Sequence, residues 1–546
     1  MNRSVTTKTC APAWAVILVL LLGSGSAWAV GGGNSPIAPG QQDGSNGDLA
    51  EGFNAVASGG QSTALGLTST ASGTQSTAAG FQSAATGFGS TALGAYCIAS
   101  GVSSTATGYI SQAAGLWAAA YGTSSTASGD QGTAVGPRST ASGTQSTAVG
   151  AQSVASGYSS IAYGFQSQAT GFGSLASGWG AHAVGAHSSA YGQGSVSNGD
   201  YSLASGAGSL ANGLSSTALG SGSMAVGNRS TAVGAFSQSW GDLSSAFGLS
   251  STAGGAQSTA LGAQSQASGF GSTAAGIASV AGDYGSTADG GQSTASGFGS
   301  SAIGYGSLAN GFEGTALGIG SVASGGQAAA AGAGARATGD NSMAFGSSSV
   351  ASGLSSTAVG NGSIAGGTNS LANGNGSLAS AGGSTALGAQ STANAADSVA
   401  IGSGSSASAA NSVALGAGSA ADQPNTVSVG NASTGATRRI TNVAPAVLPT
   451  DAVNLSQLNN AMGGVSEKAA QYTRSLVAMS SAASNAAATA AAMKGTSRVA
   501  LGVGSSAGQT AMGLAYQQSL GSWAATLNGS FDGTNSQLGG GAGFSW

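Results

Sequence analysis

Glycine returns at every seventh position of this chain from Gly52 to Gly430, and this repeat constrains the fold more than any other feature. The unit usually has a small residue, mostly serine, in third place and alanine in fifth, as in Ser62-Thr63-Ala64-Leu65-Gly66. The glycine is replaced at these positions of the series: Asp283, Ala381, Ala395, Ala409 and Gln423. A repeat this strict indicates one structural unit copied along the chain.

A period of seven residues is also the period of a coiled coil, but glycine excludes that fold here. Each glycine is about 1 kcal/mol less favourable than alanine inside a helix, and it would recur every two turns. The repeat instead predicts a short strand around the alanine, followed by a glycine turn. The small third and fifth side chains would then share one face and line a narrow interior, while the fourth and sixth lie on the other face.

The sixth position alternates between apolar and polar residues, which doubles the repeat to fourteen. The alternation is clearest in this run: Leu387, Asn394, Ile401, Ser408, Leu415, Asp422 and Val429. We therefore predict a parallel β-roll of about 27 coils, with two strands per coil, one apolar and one polar on the outside. The alternation slips at Val226, Val233 and Trp240, which predicts irregular coils there. Such narrow coils bury little apolar surface, so self-association along the apolar side is expected.

The composition excludes several classes of function. Glycine accounts for 99 of 546 residues, 5% of the residues are charged and the formal net charge is −4, so we expect no nucleic-acid partner. The two histidines, His182 and His187, lie in adjacent repeats and lack an acidic neighbour in sequence. Catalysis needs a nucleophile with a base, paired carboxylates or a metal cluster. We therefore expect no enzyme, no catalytic residue, no cofactor and no metal site beyond opportunistic binding by the histidines.

The N-terminus predicts secretion. Arg3 and Lys8 precede the apolar run 13–22, and Ala27-Trp28-Ala29 has the small-x-small pattern of a cleavage site. An uncleaved transmembrane anchor is the alternative, although the apolar run is short for one. Cleavage would leave Cys97 as the single cysteine. It occupies a third position normally held by serine, which favours a small buried residue over an interchain disulfide.

After Gly430 the glycine period stops and a heptad pattern follows. Spacings of three and four residues alternate along this seam: Leu455, Leu458, Met462, Val465, Ala469, Tyr472, Leu476, Met479, Ala483, Ala486, Ala490 and Met493. The pattern predicts a coiled coil, with a weak point at Gly463-Gly464. Because the seam residues shrink from leucine to alanine, the bundle becomes slim enough to sit inside a pore.

The C-terminal segment changes to alternation with period two. Four strands are predicted, at Arg498 to Val503, Thr510 to Gln518, Trp523 to Phe531 and Leu538 to Trp546. Their length suits a tilted crossing of a lipid bilayer. Four strands cannot close a barrel around a helix, and eight strands have an interior just filled by side chains, whereas three chains give twelve strands with room for three helices. The sequence thus predicts a homotrimer that contacts membrane lipid.

Two polar runs separate the repeats from the strands: Arg438-Arg439-Ile440-Thr441-Asn442-Val443 and Asp451-Ala452-Val453-Asn454. This segment resembles the neck of trimeric autotransporter adhesins of the YadA type. The repeat is similar to that family's head motif, as in Ser398-Val399-Ala400-Ile401-Gly402. The resemblance covers nearly the whole chain after the signal peptide. It implies contacts between chains at Arg438, Arg439, Asp451 and Asn454, with a solvated turn as the alternative.

The C-terminal strands resemble the membrane anchor of the same family. The resemblance implies that Phe544 and Trp546 form a signal for the outer-membrane insertion machinery. It also implies that Gly504 and Gly513, together with Gly502, Gly541 and Gly543, let strand backbones approach helices enclosed in the lumen. Ordinary turn and bulge glycines are the alternative there.

These predictions give a mostly β protein with six segments. They are a signal peptide (1–29), an N-terminal leader (30–49), a β-roll head (50–430), a neck (431–461), a short coiled-coil stalk (462–481) and an outer-membrane anchor (482–546). The resemblance implies an adhesin of the outer membrane of a Gram-negative bacterium, with its head on the cell surface. It would attach to host matrix or cell-surface molecules, to abiotic surfaces and to its own kind.

Two alternatives remain from the sequence. One is a structural surface fibre without a receptor. The other is a solenoid that binds ice or crystals through threonines repeated every fourteen residues, such as Thr63, Thr77, Thr91 and Thr105. Exposed aromatic residues in the repeats either anchor a ligand or pack against neighbouring coils and chains.

Overall fold

The computed structural model describes residues 41–43 and 47–546 of the chain. The predicted signal peptide (1–29) and most of the predicted leader (30–49) lie outside the described residues. The chain divides into two compact units, one ending at Thr437 and one spanning Arg438–Trp546.

The first unit is a solenoid built from two parallel sheets. Three-residue strands recur every fourteen residues from Leu49–Glu51 through Val413–Leu415 and end with Val427–Ser428. Two-residue strands recur at the same interval from Thr70–Ala71 through Ala420–Ala421, after the longer strands Gln41–Asp43 and Ala55–Ala57. Each strand pairs in parallel with the strand fourteen residues away, as Thr63–Leu65 does with Thr77–Ala79. The predicted β-roll with a fourteen-residue coil is confirmed.

Each coil has two turns, which form two rows along the solenoid. The first-turn row follows the three-residue strands, as in Gly66-Leu67-Thr68-Ser69. The second-turn row follows the two-residue strands, as in Gly73-Thr74-Gln75-Ser76. The third residue of these turns has a positive φ, 54° at Thr68 and 61° at Gln75, in the left-handed region that asparagine and glycine also adopt.

The interior contains small side chains, as the repeat predicts. Alanines in fifth place and serines in third place are almost fully buried, for example Ala64 and Ser62 at 0% exposure. Fourth and sixth residues point outward and are half-buried or exposed. Two sheets so close together leave no room for larger side chains, which explains why alanine and serine fill both positions.

The glycine series has two different structural causes. The series that follows the three-residue strands, which includes Gly66, has φ between 109° at Gly416 and 145° at Gly374, a region that L side chains rarely adopt. In the other series, which includes Gly73, a Cβ would overlap the carbonyl of the glycine one coil away, but φ is not positive. All five replacements of glycine fall in this second series. A Cβ would overlap backbone atoms of the next coil in both series, but only the first series also requires a φ that L side chains rarely adopt.

The predicted irregular coils around Val226 and Trp240 were wrong. Strand register continues there at fourteen residues, with Met224 opposite Gln238 and Thr231 opposite Ser245. Val226 and Trp240 follow two-residue strands, where the sixth position is usually polar, while Val233 belongs to a three-residue strand, where it is usually apolar. The sequence alternation is therefore interrupted by substitution and not by a shift of the chain.

The second unit begins with the neck and continues into one helix, Leu455–Ala492. Asn454 caps its N-terminus, and the helix runs through Gly463 and Gly464 without interruption. Alanine dominates the second half of the helix, which suits both helix propensity and a slim cross-section. The predicted helix is thus present, and it begins inside the segment that the sequence assigns to the neck.

Four antiparallel strands follow the helix: Ser497–Ser506, Gln509–Leu520, Trp523–Phe531 and Ser536–Phe544. They pair in sequence order to form a four-stranded meander. All four predicted strands are confirmed, each within a few residues of its predicted limits.

Candidate functional site

The four-stranded sheet has one apolar face that no part of the described chain covers. Side chains alternate along every strand, so the residues on this face come from all four strands. More than a third of the surface of each is exposed: Val499, Leu501, Val503, Met512, Leu514, Tyr516, Leu520, Trp523, Leu527, Phe531, Leu538 and Phe544. A contiguous apolar face of this size requires a partner that is itself apolar.

The other face of the sheet packs against the second half of the helix. The helix residues buried there are Ser475, Ala478, Met479, Ala482, Ala486 and Ala490. They include Met479, Ala486 and Ala490 of the predicted seam, but Leu476 of the same seam remains 38% exposed. The helix therefore uses one stripe against its own sheet and leaves the neighbouring stripe uncovered.

Glycines set the distance between the helix and the first two strands. A Cβ on Gly504 would overlap the carbonyl oxygen of Ala478 and the amide nitrogen of Ala482. A Cβ on Gly513 would overlap the Ala482 carbonyl, and one on Gly502 would overlap Ala486 and Ala482. Gly541 and Gly543 in the last strand have no atom of the described chain within 4 Å of such a Cβ. Whether any of these glycines faces the lumen of a trimeric barrel stays a prediction.

Arg498 joins the helix end to the sheet, a role that the sequence analysis missed. Its guanidinium donates to the carbonyl oxygens of Gly495 (2.8 Å) and Ala491 (3.0 Å) and to Oγ of Ser519 (2.6 Å). The helix has no basic residue in its last turn, so Arg498 supplies the positive charge that a helix C-terminus favours. Asn485 makes a second link, from Nδ2 to the carbonyl oxygen of Val503 at 2.9 Å.

The proposed insertion signal lies at one end of the sheet. The Phe544 ring contacts that of Trp523, with centroids 5.1 Å apart. Trp546 follows the last strand and is fully exposed. Trp523 and Phe544 thus form an aromatic pair at one end of the apolar face, and aromatic residues form girdles at the ends of the apolar band in outer-membrane barrels.

The predicted neck residues have contacts within the chain. The Asp451 carboxylate accepts hydrogen bonds from the N–H groups of Leu448 and Val447, both at 2.9 Å, which hold the pKa of Asp451 below its usual range. Asn454 accepts from the Gln457 N–H at 2.9 Å and donates from Nδ2 to the Val443 carbonyl at 3.1 Å. Contacts between chains at these residues remain a prediction.

The sequence analysis did not identify Gln457, which links the start of the helix to Ala446 in the neck. Its side-chain amide accepts from the N–H of Ala446 at 2.8 Å and donates to the Ala446 carbonyl at 3.0 Å. With Asn454 it forms a capping box at the helix start. The Asn-x-x-Gln spacing was the sequence signal that could have found it. Arg438 and Arg439 are both exposed at the start of this segment.

Acidic side chains of the solenoid serve its backbone. The carboxylates of Asp130, Asp200, Asp242 and Asp340 each accept a hydrogen bond, at 2.8 to 2.9 Å, from a backbone N–H one coil earlier. Cys97 is fully buried and directs its thiol toward the Gly94 carbonyl oxygen at 2.9 Å. That position favours the reading of Cys97 as a small buried residue.

The described residues lack two kinds of feature. No helix in the described part of the chain is long and apolar enough to span a membrane. Nowhere in residues 41–43 and 47–546 do three or more histidine, cysteine, aspartate or glutamate side chains gather in a way that could hold a metal ion.

The fold defines a class: a repetitive β-solenoid head followed by a neck, a helical stalk and an amphipathic sheet. Comparison with known families agrees with this class. The YadA head domain repeat matches fourteen stretches between residues 50 and 433, over more than half of the chain, and the coiled stalk of trimeric autotransporter adhesins matches residues 439–480. The chain belongs to the YadA-type trimeric autotransporter adhesins, and membership implies a homotrimer with its head at the cell surface.

One solved structure adds little to this assignment. The crystal structure of the collagen-binding domain of the Yersinia adhesin YadA is 21% identical, and the match covers 51% of this chain and 84% of that one with a TM-score of 0.12. Among curated proteins, none matches the chain significantly.

Proposed function

We propose that the chain is a surface adhesin that attaches cells to host or abiotic surfaces and to each other, and that its own C-terminal segment exports and anchors it by type V secretion. The C-terminal sheet carries this proposal. It pairs one slim alanine-rich helix on one face with twelve exposed apolar residues on the other. That combination suits a strand set placed between lipid and a filled lumen.

The anchor would be a barrel of twelve strands, four from each of three chains. The first and last strands, Ser497–Ser506 and Ser536–Phe544, each pair on one side within the chain. Their free edges carry backbone groups that lipid cannot satisfy, so they must pair with the edges of other chains. Three helices, one from each chain, would fill the lumen. The outer-membrane insertion machinery would recognise Phe544 and Trp546. The anchor segment would begin at residue 482.

The head would supply attachment. Its third and fifth residues are buried, so contact must involve the outward positions and the turns. Between residues 48 and 437 the chain has three arginines and no lysine, and several acidic groups already bind the backbone. Long-range electrostatic steering therefore contributes little, and most of the contact groups are hydroxyls, amides and aromatic rings. Many equal coils on three chains would raise the avidity of a weak site.

Two truncations test the proposal. A chain reduced to the signal peptide and the residues after Lys468 should form heat-modifiable trimers in the outer membrane, and a soluble periplasmic monomer would refute the anchor. Deletion of residues 50–430 should abolish attachment and clumping while trimers stay in the membrane. Unchanged attachment after this deletion would refute the adhesin.

One observation favours the alternative of an ice- or crystal-binding solenoid. Thr63, Thr77, Thr91 and Thr105 lie opposite one another on four successive strands. The row ends at Ala119, however, and each strand contributes one threonine to it. Thermal hysteresis of the purified protein would support this second function, and its absence would remove it.

A further inference from the structure

Two ladders of aromatic rings in contact with one another lie on the second-turn row of the solenoid. The first ladder consists of Tyr158, Phe172, His187 and Tyr201, with neighbouring ring centroids 5.1 to 5.2 Å apart. The second ladder consists of Phe270, Tyr284, Phe298 and Phe312, with centroids 5.1 to 5.4 Å apart and planes within 10° of parallel. Each ladder is four coils long, and four coils without an aromatic ring in this row separate them.

The ladders are rigid but remain accessible. The rings of the second ladder are 42% to 51% exposed, although each contacts its neighbours. Gly271, Gly285 and Gly299 follow the first three rings, so no side chain stands beside these rings in the same turn. In the second ladder stacking covers the ring faces and leaves a row of ring edges toward solvent, whereas Phe172 and His187 of the first ladder meet edge to face. Large rigid rings of this kind lose little conformational entropy on contact, which makes them efficient contact residues.

The position of the two ladders matches a two-fold axis. Consider a two-fold axis perpendicular to the solenoid, between the second turn that contains Asn228 and the one that contains Asp242. This axis would place a second copy of the solenoid antiparallel to the first. The first ladder of one copy then lies opposite the second ladder of the other, and the reverse also holds. Two copies of this chain share the same coil spacing, so the four ring pairs of each of the two ladder contacts can meet together. A partner with another repeat length could not match the row in this way.

The positions of charged residues are also complementary in this antiparallel register. Next to the axis, Arg229 of one copy faces the turn of Asp242 in the other, and this pair occurs twice in the contact. Both residues are exposed, and no ion pair of Arg229 is found within the described residues. Farther from the axis, the same register places Asp130 of one copy opposite Asp340 of the other. Two like charges repel there, so the contact should end between these residues and the ladders.

We propose that the second-turn row is a homotypic contact surface through which heads on separate cells join antiparallel. Antiparallel contact is the arrangement that two facing cell surfaces allow. This inference rests on the proposed clumping function and names its partner, a second copy of this chain. Each pair of heads contributes two ladder contacts and two Arg229–Asp242 contacts, so weak single contacts add to strong adhesion between cells.

A charge-reversal experiment tests the register. The full chain is displayed on a non-clumping bacterium as Arg229→Asp or as Asp242→Arg, and settling is followed at low salt. Each variant alone should clump about tenfold more slowly than the original chain, because every contact then opposes like charges twice. A mixture of the two variants should form clumps containing both, because the aspartate introduced at position 229 then meets the arginine introduced at position 242 of the other copy. Normal clumping of either variant alone, or a dispersed mixture of displayed trimers, would overturn the proposal.

A second pair of variants tests the rings. Tyr284→Thr with Phe298→Thr removes half of one ladder and introduces a residue that the same row already uses at Thr74 and Thr144. Clumping should be largely lost while the unheated trimer band remains. Phe165→Thr with Trp179→Thr removes as many exposed rings from the first-turn row and should leave clumping unchanged. Normal clumping of the ladder variant would contradict the inference.

Loss of the trimer in the ladder variant would also overturn the inference, since the rings would then lie between chains of one trimer. The deletion of residues 50–430 separates the two proposals. If that deletion abolishes clumping but the ring and charge variants do not change it, the homotypic surface is wrong and the adhesin remains. If the deletion leaves attachment and clumping intact, the adhesin itself is wrong.

Discussion

The backbone of Gly504 lies against the backbone of Ala482, so the strand and the helix meet without a side chain between them. A Cβ on Gly504 would overlap the Ala482 amide nitrogen. This contact fixes how closely the helix approaches its sheet, and Gly502 and its cross-strand partner Gly513 make similar backbone contacts with the helix.

Substitution of Gly504 should therefore disturb assembly of the anchor. Gly504→Ala inserts an atom where no space exists, and overpacking of this kind costs about 1 to 3 kcal/mol. Gly540→Ala is the matched control, because its nearest contact would be the Thr526 carbonyl at an ordinary 3.6 Å. The yield of heat-modifiable trimers in membranes should fall for Gly504→Ala and stay constant for Gly540→Ala. Equal yields would show that the helix and strand can move apart at no cost.

The two glycine series should differ in their response to alanine. A Cβ would overlap a backbone carbonyl of the next coil at both Gly248 and Gly241, but only Gly248 also has a positive φ, 130°. Gly248→Ala should lower stability by about 1 to 3 kcal/mol through backbone strain. Gly241→Ala should cost less, since this series already holds Ala381, Ala395 and Ala409. Thermal melting followed by circular dichroism checks the order, and a larger loss for Gly241→Ala would contradict it.

This difference also shows what the repeat could and could not predict. The period, the small third and fifth residues and the alternation of the sixth follow from local geometry, so the sequence was sufficient for the coil and its interior. The φ value of a glycine is not visible in its identity, so Gly66 and Gly73 look equivalent until the structure separates them. The slip predicted at Trp240 failed because one substitution changes the pattern without changing the register.

The C-terminal unit shows a second limit. The heptad seam was predicted for helix-to-helix contact, yet the stripe that packs on the sheet includes Ser475 and Ala482 beside that seam. The period of apolar residues along a helix does not show whether its apolar stripe packs against another helix or against a sheet. Arg498 escaped notice for a related reason, because its partners belong to three different elements, the helix end, a loop and a later strand.

The buried serines should fall into two classes. Ser125, Ser139, Ser153 and Ser167 each donate to a glycine carbonyl three residues earlier, at 2.8 to 2.9 Å. The Oγ atoms of the serines in the alternate row, Ser146, Ser160, Ser174 and Ser188, have no hydrogen-bond partner within the described residues. Alanine at the four donors should cost about 1 kcal/mol each, whereas alanine at the other four should be neutral or stabilising.

Two quadruple variants measure this difference with the same number of changes. Melting temperatures of the purified chains should separate, with the donor variant clearly below the original protein and the second variant equal to or above it. If both variants melt together, the hydrogen bonds of the donor row contribute nothing net.

Cys97 should make the stability of the head depend on alkaline pH. Burial raises the pKa of its thiol from 9.0 to about 11, against a smaller lowering by a backbone hydrogen bond. Below pH 9 the thiol is neutral in both states; between pH 9 and 11 ionisation is favoured in the unfolded chain alone, so stability falls as pH rises. Cys97→Ser introduces the residue that usually occupies this position of the repeat. It should remove the fall in stability with pH that the thiol causes. Melting at about pH 8 to 11 checks it, and identical slopes would contradict the assignment.

Arg498 should hold the C-terminal end of the helix against the sheet. Removing its charge exposes the carbonyls of Ala491 and Gly495 and the Ser519 hydroxyl, and a cation at a helix C-terminus is worth about 0.3 to 2 kcal/mol. Arg498→Met should therefore speed amide exchange around residues 490–495 by about tenfold, which corresponds to roughly 1.4 kcal/mol. Lys494→Met removes an equal charge from an exposed position and should leave exchange unchanged. Arg498→Lys should recover part of the protection, because lysine keeps the charge but cannot reach all three acceptors with one fork. Equal exchange in Arg498→Met and Lys494→Met would mean that the helix end is held by packing alone.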